Sequence, residues 1–152
     1  MKFNSIDEVL DFAIIEEEKA HDFYMELAKK TRKPWMKKTF EQFAQEEMEH
    51  KALLLNVKAG GELKPVEGKI LDLKILETLK DEDITNLEQI DYEDALKIAM
   101  QKEKEAYLLY MNLAQQVDDG RIKDLFLRLA QEEANHKLRF EMEYDDYVLR
   151  DN

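Results

Sequence analysis

Two copies of the spacing Glu-x-x-His are the residues of this chain best suited to chemistry. They are Glu47 with His50, and Glu133 with His136. Residues three apart on an α-helix share one face, so each pair can direct a carboxylate and an imidazole at the same point. These groups are suitable ligands for divalent transition metals. The two pairs therefore predict a metal site.

Two further glutamates interrupt stripes of apolar residues that recur at helical spacing. Glu17 and Glu103 stand in the middle of two such stripes, and helix periodicity turns both carboxylates toward a core. The two stripes contain Leu10, Ala13, Ile14, Ala20, Tyr24, Leu27 and Ala28, and Leu96, Ala99, Met100, Ala106, Tyr110 and Leu113. Buried carboxylates are costly unless they are compensated. Two divalent cations would balance the charge of these two and of the two Glu-x-x-His glutamates.

The four glutamates also lie at matching heights along their helices. Glu17 and Glu47 are symmetric about residue 32, and Glu103 and Glu133 are symmetric about residue 118. Each is about 15 residues, or ~22 Å, from the predicted turn of its hairpin. All six side chains can thus meet near the middle of a bundle. One Glu from each of two helices and Glu-x-x-His from each of two others is the ligand pattern of di-iron and di-manganese carboxylate bundles.

Three other residues near these positions could take part in the site. Tyr24 and Tyr110 each follow a proposed ligand, Glu17 or Glu103, by seven residues on the same helix face. They are either core aromatics or phenols that orient a ligand carboxylate through a hydrogen bond. Glu18 and His21 form a third Glu-x-x-His, but Glu18 lies off the apolar stripe. We interpret this copy as accidental. His21 is nevertheless one turn from Glu17 and could lie near the site.

The elements that must position these residues are long helices. Four glycines and two prolines in 152 residues leave few breaks, and the composition favours an all-α protein. Ser5 and Glu8 form a predicted capping box that begins the first helix. We predict a single domain over residues 1–152, with one helical hairpin at 5–58, a second at 91–149, and a crossover connection at 59–90 that contains one or two short helices.

The two hairpins repeat each other. A shift of 86 positions, the separation of Glu17 from Glu103, aligns the halves without a gap. The shift places Ala44-Gln45-Glu46-Glu47 on Ala130-Gln131-Glu132-Glu133, and His50-Lys51 on His136-Lys137. The period is too long and the copies too few for a solenoid. We interpret the chain as a duplicated helical hairpin whose two copies form one four-helix bundle.

Composition excludes several classes of function. The chain has no cysteine, which excludes disulfides, thiol nucleophiles and cysteine-ligated metals. Acidic residues outnumber basic ones by 35 to 23, and a net charge of −12 argues against binding to nucleic acid or to anionic membranes. We find neither a membrane span nor a signal peptide, and we expect a cytoplasmic protein.

At these motifs the chain resembles the ferritin-like superfamily, and most closely the di-iron domain of rubrerythrins. The resemblance covers roughly residues 5–145. It implies a ferritin-like four-helix bundle that holds two iron ions, with manganese as the alternative, and an oxo or hydroxo bridge. It also implies that Glu17 and Glu103 are terminal or bridging ligands, that Glu47 and Glu133 can bridge, and that His50 and His136 each cap one iron.

The chain differs from full-length rubrerythrins in two respects. They carry a cysteine-ligated rubredoxin-like domain, and this chain has no cysteine, so an external donor such as a rubredoxin or a flavoprotein reductase is implied. They also tend to carry an extra carboxylate at the position of Ala106, which makes this ligand set closer to that of bacterioferritin-type centres. The resemblance further implies a homodimer, and the long connection would permit exchange of hairpins.

These observations favour a di-iron oxidoreductase that reduces hydrogen peroxide or dioxygen, as in protection against oxidative stress. Three alternatives stay open at this point. The chain could bind or oxidise Fe(II) in iron handling, hold a manganese pair as a catalase, or be a metal-free interaction bundle. Metal analysis and the size of the assembly would separate them.

Overall fold

The computed structural model describes residues 3–61 and 89–151, and the side chains among them up to residue 149. Four α-helices and no strands are found in these residues: α1 (Ile6–Lys30), α2 (Pro34–Lys58), α3 (Tyr92–Gln116) and α4 (Gly120–Asp151). The prediction of an all-α four-helix bundle is confirmed. The short helices predicted within the crossover lie outside the described residues.

The helix ends follow from local sequence. Ser5 Oγ accepts a hydrogen bond from the backbone N–H of Glu8, at 3.1 Å, and so caps α1. In a capping box, Glu8 would accept a hydrogen bond from the backbone N–H of Ser5. Glu8 Oε2 instead accepts one from the N–H of the preceding residue, Asn4, at 2.6 Å. At the other end of the hairpin, Gly60 adopts a φ of 92°, and Gly61 N–H bonds to Asn56 O at 2.8 Å, which ends α2 as predicted.

Two apolar clusters, one on each side of the bundle's middle, define how the helices run. One cluster joins the end of α1 and the beginning of α2 to the beginning of α3 and the end of α4. The other cluster joins the opposite four ends. Therefore α1 is antiparallel to α3, α2 is antiparallel to α4, and α2 is parallel to α3.

This arrangement requires a crossover between the hairpins. The start of α3 lies beside the first turn, where Ile90 N–H donates to Lys30 O at 3.1 Å and Arg32 Nε donates to Gln89 Oε1 at 2.7 Å. The end of α2 lies beside the second turn, where Gly61 O accepts a hydrogen bond from Arg121. A helix of 25 residues is about 37 Å long, so the chain between Gly61 and Gln89 joins opposite ends of the bundle.

The helices pack most closely within each hairpin. Helix α1 lies along α2, and α3 lies along α4, whereas backbone contacts between the two hairpins are sparse. Between the two apolar clusters lies a layer of buried polar side chains to which all four helices contribute. None of the described helices is both long and apolar enough to cross a membrane.

Candidate metal centre

The buried polar layer contains all six predicted metal ligands. We call these six side chains the carboxylate cluster: Glu17 on α1, Glu47 and His50 on α2, Glu103 on α3, and Glu133 and His136 on α4. The most exposed of them, His50, keeps 6% of its accessible surface. The structure thus brings together residues that are up to 119 positions apart, as the matching heights predicted. Their roles as ligands stay a prediction.

Two overlapping ligand sets can be drawn within the cluster. One set is Glu17, Glu47, His50 and Glu133, and the other is Glu47, Glu103, Glu133 and His136. In each set, one ligand atom from every residue lies within 4.8 Å of the others. Because Glu47 and Glu133 belong to both sets, they stand where two neighbouring cations would share ligands.

The two histidines point the same ring atom at the centre. His50 Nδ1 lies 2.8 Å from Glu133 Oε1 and 3.5 Å from Glu17 Oε2. His136 Nδ1 lies 3.1 Å from Glu47 Oε1 and 3.5 Å from Glu103 Oε1. The imidazole planes are 12° from parallel, with ring centroids 5.4 Å apart. Each ring is therefore positioned to serve one of the two ligand sets.

The cluster leaves buried polar atoms without hydrogen-bond partners among the described residues. Six of the atoms concerned are Glu17 Oε2, Glu47 Oε1, His50 Nδ1, Glu103 Oε2, Glu133 Oε1 and His136 Nδ1. Native interiors seldom tolerate even one such atom, and several converging on one point call for a partner. Carboxylate and imidazole atoms in this arrangement fit divalent cations, which would neutralise the carboxylates and accept the free lone pairs.

Electrostatics within the cluster indicate an excess of negative charge. Burial, with the charges of Glu17 and Glu103, raises the pKa of Glu47 to about 8. Burial and the neighbouring carboxylates likewise raise the pKa of Glu133 well above its ordinary value. Burial alone would also raise the pKa of Glu103, but the charge of His136 holds it below the ordinary value. Without cations, the cluster therefore retains protons on the two shared glutamates.

The carboxylate charges raise the pKa values of the histidines, whereas burial lowers them. Burial would lower the pKa of His50, but contacts with Glu132, Glu133 and Glu17 raise it well above the ordinary value. Burial would lower the pKa of His136 as well, and Glu103 outweighs that effect. The neighbouring carboxylates thus favour the protonated form of both imidazoles in the metal-free protein. A cation that binds Nδ1 must displace a proton.

Two carboxylates outside the cluster support its histidines, and the sequence analysis did not single them out. His50 Nε2 lies 3.0 Å from Glu132 Oε2, and His136 Nε2 lies 3.6 Å from Glu46 Oε1. Each contact crosses from one hairpin to the other. A carboxylate on the far ring nitrogen of a metal-binding histidine fixes the orientation of the ring. The signal was present, since Glu46 and Glu132 correspond in the internal repeat.

The contact of Glu46 with His136 is reinforced by an arginine. Arg139 Nη1 donates to both carboxylate oxygens of Glu46, at 2.7 and 3.0 Å. Burial would raise the pKa of Glu46, but His136 and Arg139 lower it to about 2. Glu46 therefore stays ionised beside the ring. Glu132 also has a lowered pKa, because its contact with His50 outweighs burial.

The two tyrosines each donate a hydrogen bond to a glutamate of the cluster. Tyr24 OH lies 2.5 Å from Glu103 Oε1, and Tyr110 OH donates to Glu17 Oε1. The bonds cross between α1 and α3, so each tyrosine contacts the glutamate of the opposite hairpin rather than the one on its own helix. Burial, followed by the charge of the bonded glutamate, raises the pKa of both phenols well above the ordinary value.

Two cavities reach the cluster from opposite sides. One, of about 370 Å³, lies between α1 and α3 and is lined by cluster carboxylates, by both tyrosines and by Ala20, Phe23, Ala106 and Leu109. The other, of about 330 Å³, lies between α2 and α4 against the two histidines and is lined by Glu46, Glu49 and Glu132 together with Arg128 and Arg139. The cluster can thus be approached from two faces of the bundle.

The stray Glu-x-x-His does not join the cluster. His21 Nδ1 lies 3.0 Å from its neighbour Asp22, and Glu18 pairs with Lys51 at 2.8 Å. Neither residue belongs to either ligand set.

A four-helix bundle with a crossover and two overlapping carboxylate–histidine sets defines a ferritin-like protein with a candidate two-metal centre. The family model for rubrerythrin matches residues 8–144, and the chain belongs to the rubrerythrin family of di-iron carboxylate proteins. The resemblance noted from the motifs is thereby confirmed.

Comparison with solved structures agrees with this assignment. The chain is similar to a hypothetical protein from Pyrococcus furiosus, with 29% identity and a TM-score of 0.62. The match covers 93% of this chain and 89% of that protein. No curated protein matches the sequence significantly.

Proposed function

We propose that this protein is a di-iron oxidoreductase that reduces hydrogen peroxide or dioxygen with electrons from an external donor. The observation that carries the proposal is the pair of ligand sets that share Glu47 and Glu133 beside the cavity between α1 and α3. Glu47 and Glu133, which belong to both sets, would help to hold both iron ions. His50 and Glu17 would complete one site, and His136 and Glu103 would complete the other.

Bound iron supplies the two electrons that, with two protons, convert one hydrogen peroxide to two waters. The chain's own residues determine what reaches the iron and how it is held. The cavity between α1 and α3 has room for peroxide or dioxygen. Apolar side chains of Ala20, Phe23, Ala106 and Leu109 line it together with charged ones that include Lys19 and Lys102.

The tyrosines hold two of the carboxylates in place. Because burial raises the pKa of Tyr24 and Tyr110, both hydroxyls keep their protons and act as hydrogen-bond donors. Each donor fixes one oxygen of Glu103 or Glu17, which leaves the other oxygen free to bind a cation. Glu46 and Glu132 fix the histidine rings from behind.

Position 106 distinguishes this centre from one that has a fifth carboxylate at that position, as rubrerythrins tend to have. Ala106 lines the cavity one turn after Glu103 and offers no ligand atom. The protein ligands for iron would therefore come from the six cluster residues, among which Glu47 and Glu133 would be the two able to hold either cation.

A second function, the oxidation of Fe(II) in iron handling, is supported by the cavity between α2 and α4. Three glutamates, Glu46, Glu49 and Glu132, line it, and it reaches both histidines. Its three glutamates outnumber its two arginines, Arg128 and Arg139, so its walls favour the approach of cations. In that case iron would be a substrate that passes through the centre.

The deciding experiment is metal analysis of anaerobically purified protein, followed by stoichiometric peroxide. We expect about two iron ions per chain after loading, as in other bundles with this ligand pattern. Oxidation faster with peroxide than with dioxygen supports the peroxidase. Preferential retention of manganese would favour a catalase, and less than one metal per chain would contradict the two-metal centre.

The size of the assembly separates the two iron functions. We propose a homodimer whose long connection permits exchange of hairpins and which receives electrons from a cytoplasmic rubredoxin or flavoprotein. Sedimentation of the loaded protein as a dimer supports this arrangement. A closed cage of many subunits would support iron storage instead.

A further inference from the structure

The two halves of the chain supply the same metal ligands, but they support the two histidines differently. We call the ligand set that contains His50 the His50 set, and the one that contains His136 the His136 set. A cation on Nδ1 of either ring leaves Nε2 to carry the proton and to face a supporting carboxylate, which is Glu132 for His50 and Glu46 for His136. The sets differ in what holds these two carboxylates.

Glu132 is available to its histidine. Glu132 Oε2 lies 3.0 Å from His50 Nε2 and has no other hydrogen-bond partner among the described residues. The arginine beside it is Arg128, whose Nε is 3.9 Å from the other oxygen, Oε1, and thus beyond hydrogen-bond distance. Glu132 therefore keeps most of its negative charge for the imidazole. A carboxylate in this place raises the basicity of the ring and strengthens its bond to a cation.

Glu46 is occupied by an arginine instead. Arg139 Nη1 donates to both oxygens of Glu46, at 2.7 and 3.0 Å. The distance from Glu46 Oε1 to His136 Nε2 is 3.6 Å, which is longer than a hydrogen bond. Phe43 holds the guanidinium in place, since Arg139 Cζ lies 4.3 Å from the centroid of its ring. The His136 set thus has a fixed positive charge bound to its supporting carboxylate.

The internal repeat shows that the fold does not require this arginine. The counterpart of Arg139, 86 positions earlier, is Leu53, and the counterpart of Phe43 is Leu129. Leu53 and Arg139 line the same cavity between α2 and α4, together with both histidines. An aliphatic side chain is therefore compatible with this position beside the cluster, and Arg139 gives the two halves different charges there.

We propose that Arg139 makes the two metal positions unequal, so that the His50 set binds a divalent cation more tightly than the His136 set. Two effects act in the same direction. Arg139 takes up the charge of Glu46 and so lowers the basicity that Glu46 gives to His136. Its own positive charge also opposes a cation at that ring. The His50 set would then hold the first iron firmly, and the His136 set would hold the iron that exchanges with solution.

This inference rests on the two-metal centre of the proposed function, but not on the reaction with peroxide. Its test measures one cation at a time, because two neighbouring cations repel each other and weaken the second binding step in any such centre. His136→Ala leaves only the His50 set complete, and His50→Ala leaves only the His136 set complete.

The metal-free forms of both variants are titrated with Co(II), an air-stable probe for Fe(II) whose visible absorption reports the bound ion. Co(II) should bind about tenfold more tightly to His136→Ala than to His50→Ala, since changes to a supporting carboxylate alter metal affinity by about 10–100-fold. Equal affinities in the two variants would overturn the inference.

Replacement of Arg139 tests the cause of the inequality. Arg139→Leu introduces the side chain of the first half, and in His50→Ala it should strengthen Co(II) binding by about tenfold. In His136→Ala the same change should leave the affinity unchanged. A purely structural role for Arg139 would not strengthen binding in one set alone, and weaker binding in His50→Ala would overturn the inference.

Two further replacements of Arg139 separate its charge from its packing. Arg139→Lys keeps the charge and should keep the weak binding of His50→Ala. Arg139→Gln removes the charge but keeps a polar side chain, so it should strengthen binding as Arg139→Leu does, and it serves in place of Arg139→Leu if that variant fails to fold. Equal affinities for the Lys and Gln variants would show that the charge of Arg139 has no effect.

The reverse change tests the other half of the chain. Leu53→Arg adds an arginine to the cavity wall near His50, and it should weaken Co(II) binding by His136→Ala by about tenfold. The matched control is Arg128→Leu, which removes an arginine of the same cavity that makes no hydrogen bond to Glu132. Because such a loose contact is weak, this control should change the affinity of either set by less than about threefold.

The measurements separate failure of this inference from failure of the proposed function. If the two sets are equal but the native protein still takes up two iron ions and turns over peroxide, the inference alone is wrong. If the sets are unequal as expected but the loaded protein does not react with peroxide, the inference holds and the proposed peroxidase is wrong. Uptake of no Co(II) by the native protein would overturn both.

Discussion

The end of the bundle that holds Trp35 and the end that holds Arg121 are built from corresponding segments of the repeat, but different side chains fill them. Both ends place a tyrosine and a phenylalanine next to the carboxylate cluster. In addition, Phe43 and Phe140 at the first end correspond to Leu129 and Leu54 at the second. One end is thus aromatic and the other largely aliphatic.

The difference shows that packing at the two ends constrains the sequence less strictly than metal binding does in the cluster. Apolar volume can be filled equally well by aromatic or aliphatic side chains, so the ends of the repeat can differ. The cluster cannot vary in this way, because a cation needs particular ligand atoms at particular distances. The halves of the chain agree at Glu17 and Glu103, at Glu47 and Glu133, and at the two histidines.

The largest effect is expected from removal of the two shared glutamates of the carboxylate cluster, which lies between the two ends. The double variant Glu47→Ala/Glu133→Ala removes both shared glutamates and should abolish stoichiometric iron binding. It should also abolish the stabilisation that iron provides, about 4 kcal/mol at a free metal concentration about 1,000 times Kd. Metal analysis and thermal unfolding with and without iron measure both effects.

The matched control is Glu18→Ala/His21→Ala, which removes the stray Glu-x-x-His of α1. It should leave iron content unchanged, since neither residue belongs to a ligand set. Thermal unfolding of the metal-free Glu47→Ala/Glu133→Ala protein gives the baseline against which the loss of stabilisation by iron is measured. Unchanged iron content in that double variant would contradict the proposed centre.

The next largest effect concerns the pH dependence of stability, which should have opposite signs in the metal-free and in the iron-loaded protein. The pKa of Glu47 is about 8 in the fold against 4.5 in an ordinary environment, and the histidine pKa values are also raised. The folded metal-free protein therefore binds more protons than the unfolded chain. Its Tm should fall as the pH rises from about 4.5 to about 8.

In the iron-loaded protein the ligands must be deprotonated, so the Tm should rise with pH over the same window. Thermal unfolding of both forms at a series of pH values tests the contrast. Glu47→Gln cannot titrate and should flatten the slope of the metal-free protein. Slopes of the same sign in both forms would show that the cluster does not exchange protons for cations.

A smaller effect distinguishes the packing of the two ends. Phe40 contacts the rings of Tyr24, Tyr92 and Phe140, whereas Phe126 contacts that of Tyr110. Both phenylalanines are fully buried. Because each aromatic pair contributes about 0.5–1.5 kcal/mol, Phe40→Leu should cost about 1–3 kcal/mol more than Phe126→Leu.

Urea unfolding of the metal-free variants measures this difference, and the m-value should not change. Equal costs would mean that the aromatic contacts at the first end add nothing beyond buried area.

The fold and the cluster could be predicted because they depend on periodicity. Glu17 interrupts an apolar stripe at helical spacing, and its distance from the turn sets its height against Glu47. Gly60 and Gly61 end α2 for a local conformational reason that the sequence also displays. Helix phase and helix length together decide which side chains meet at mid-bundle, and both can be counted.

Contacts that cross between hairpins could not be predicted in the same way. Tyr24 bonds to Glu103 and not to the glutamate on its own helix, because the direction of a long side chain depends on how α1 and α3 pack. Glu46 reaches His136 for the same reason. The contact of Trp35 with Tyr92 was also missed, since the two residues become neighbours only through the crossover.

The smallest difference between the ends should be in stability after removal of the tyrosine hydroxyls. Tyr24→Phe and Tyr110→Phe each delete one hydrogen bond to a buried carboxylate, and each should cost about 1.5–3 kcal/mol in the metal-free protein. The two costs should agree within about 0.5 kcal/mol, since the bonds are related by the repeat. Urea unfolding of the metal-free variants measures both costs. Clearly unequal costs would mean that the aromatic surroundings at one end and the aliphatic surroundings at the other change the strength of this bond.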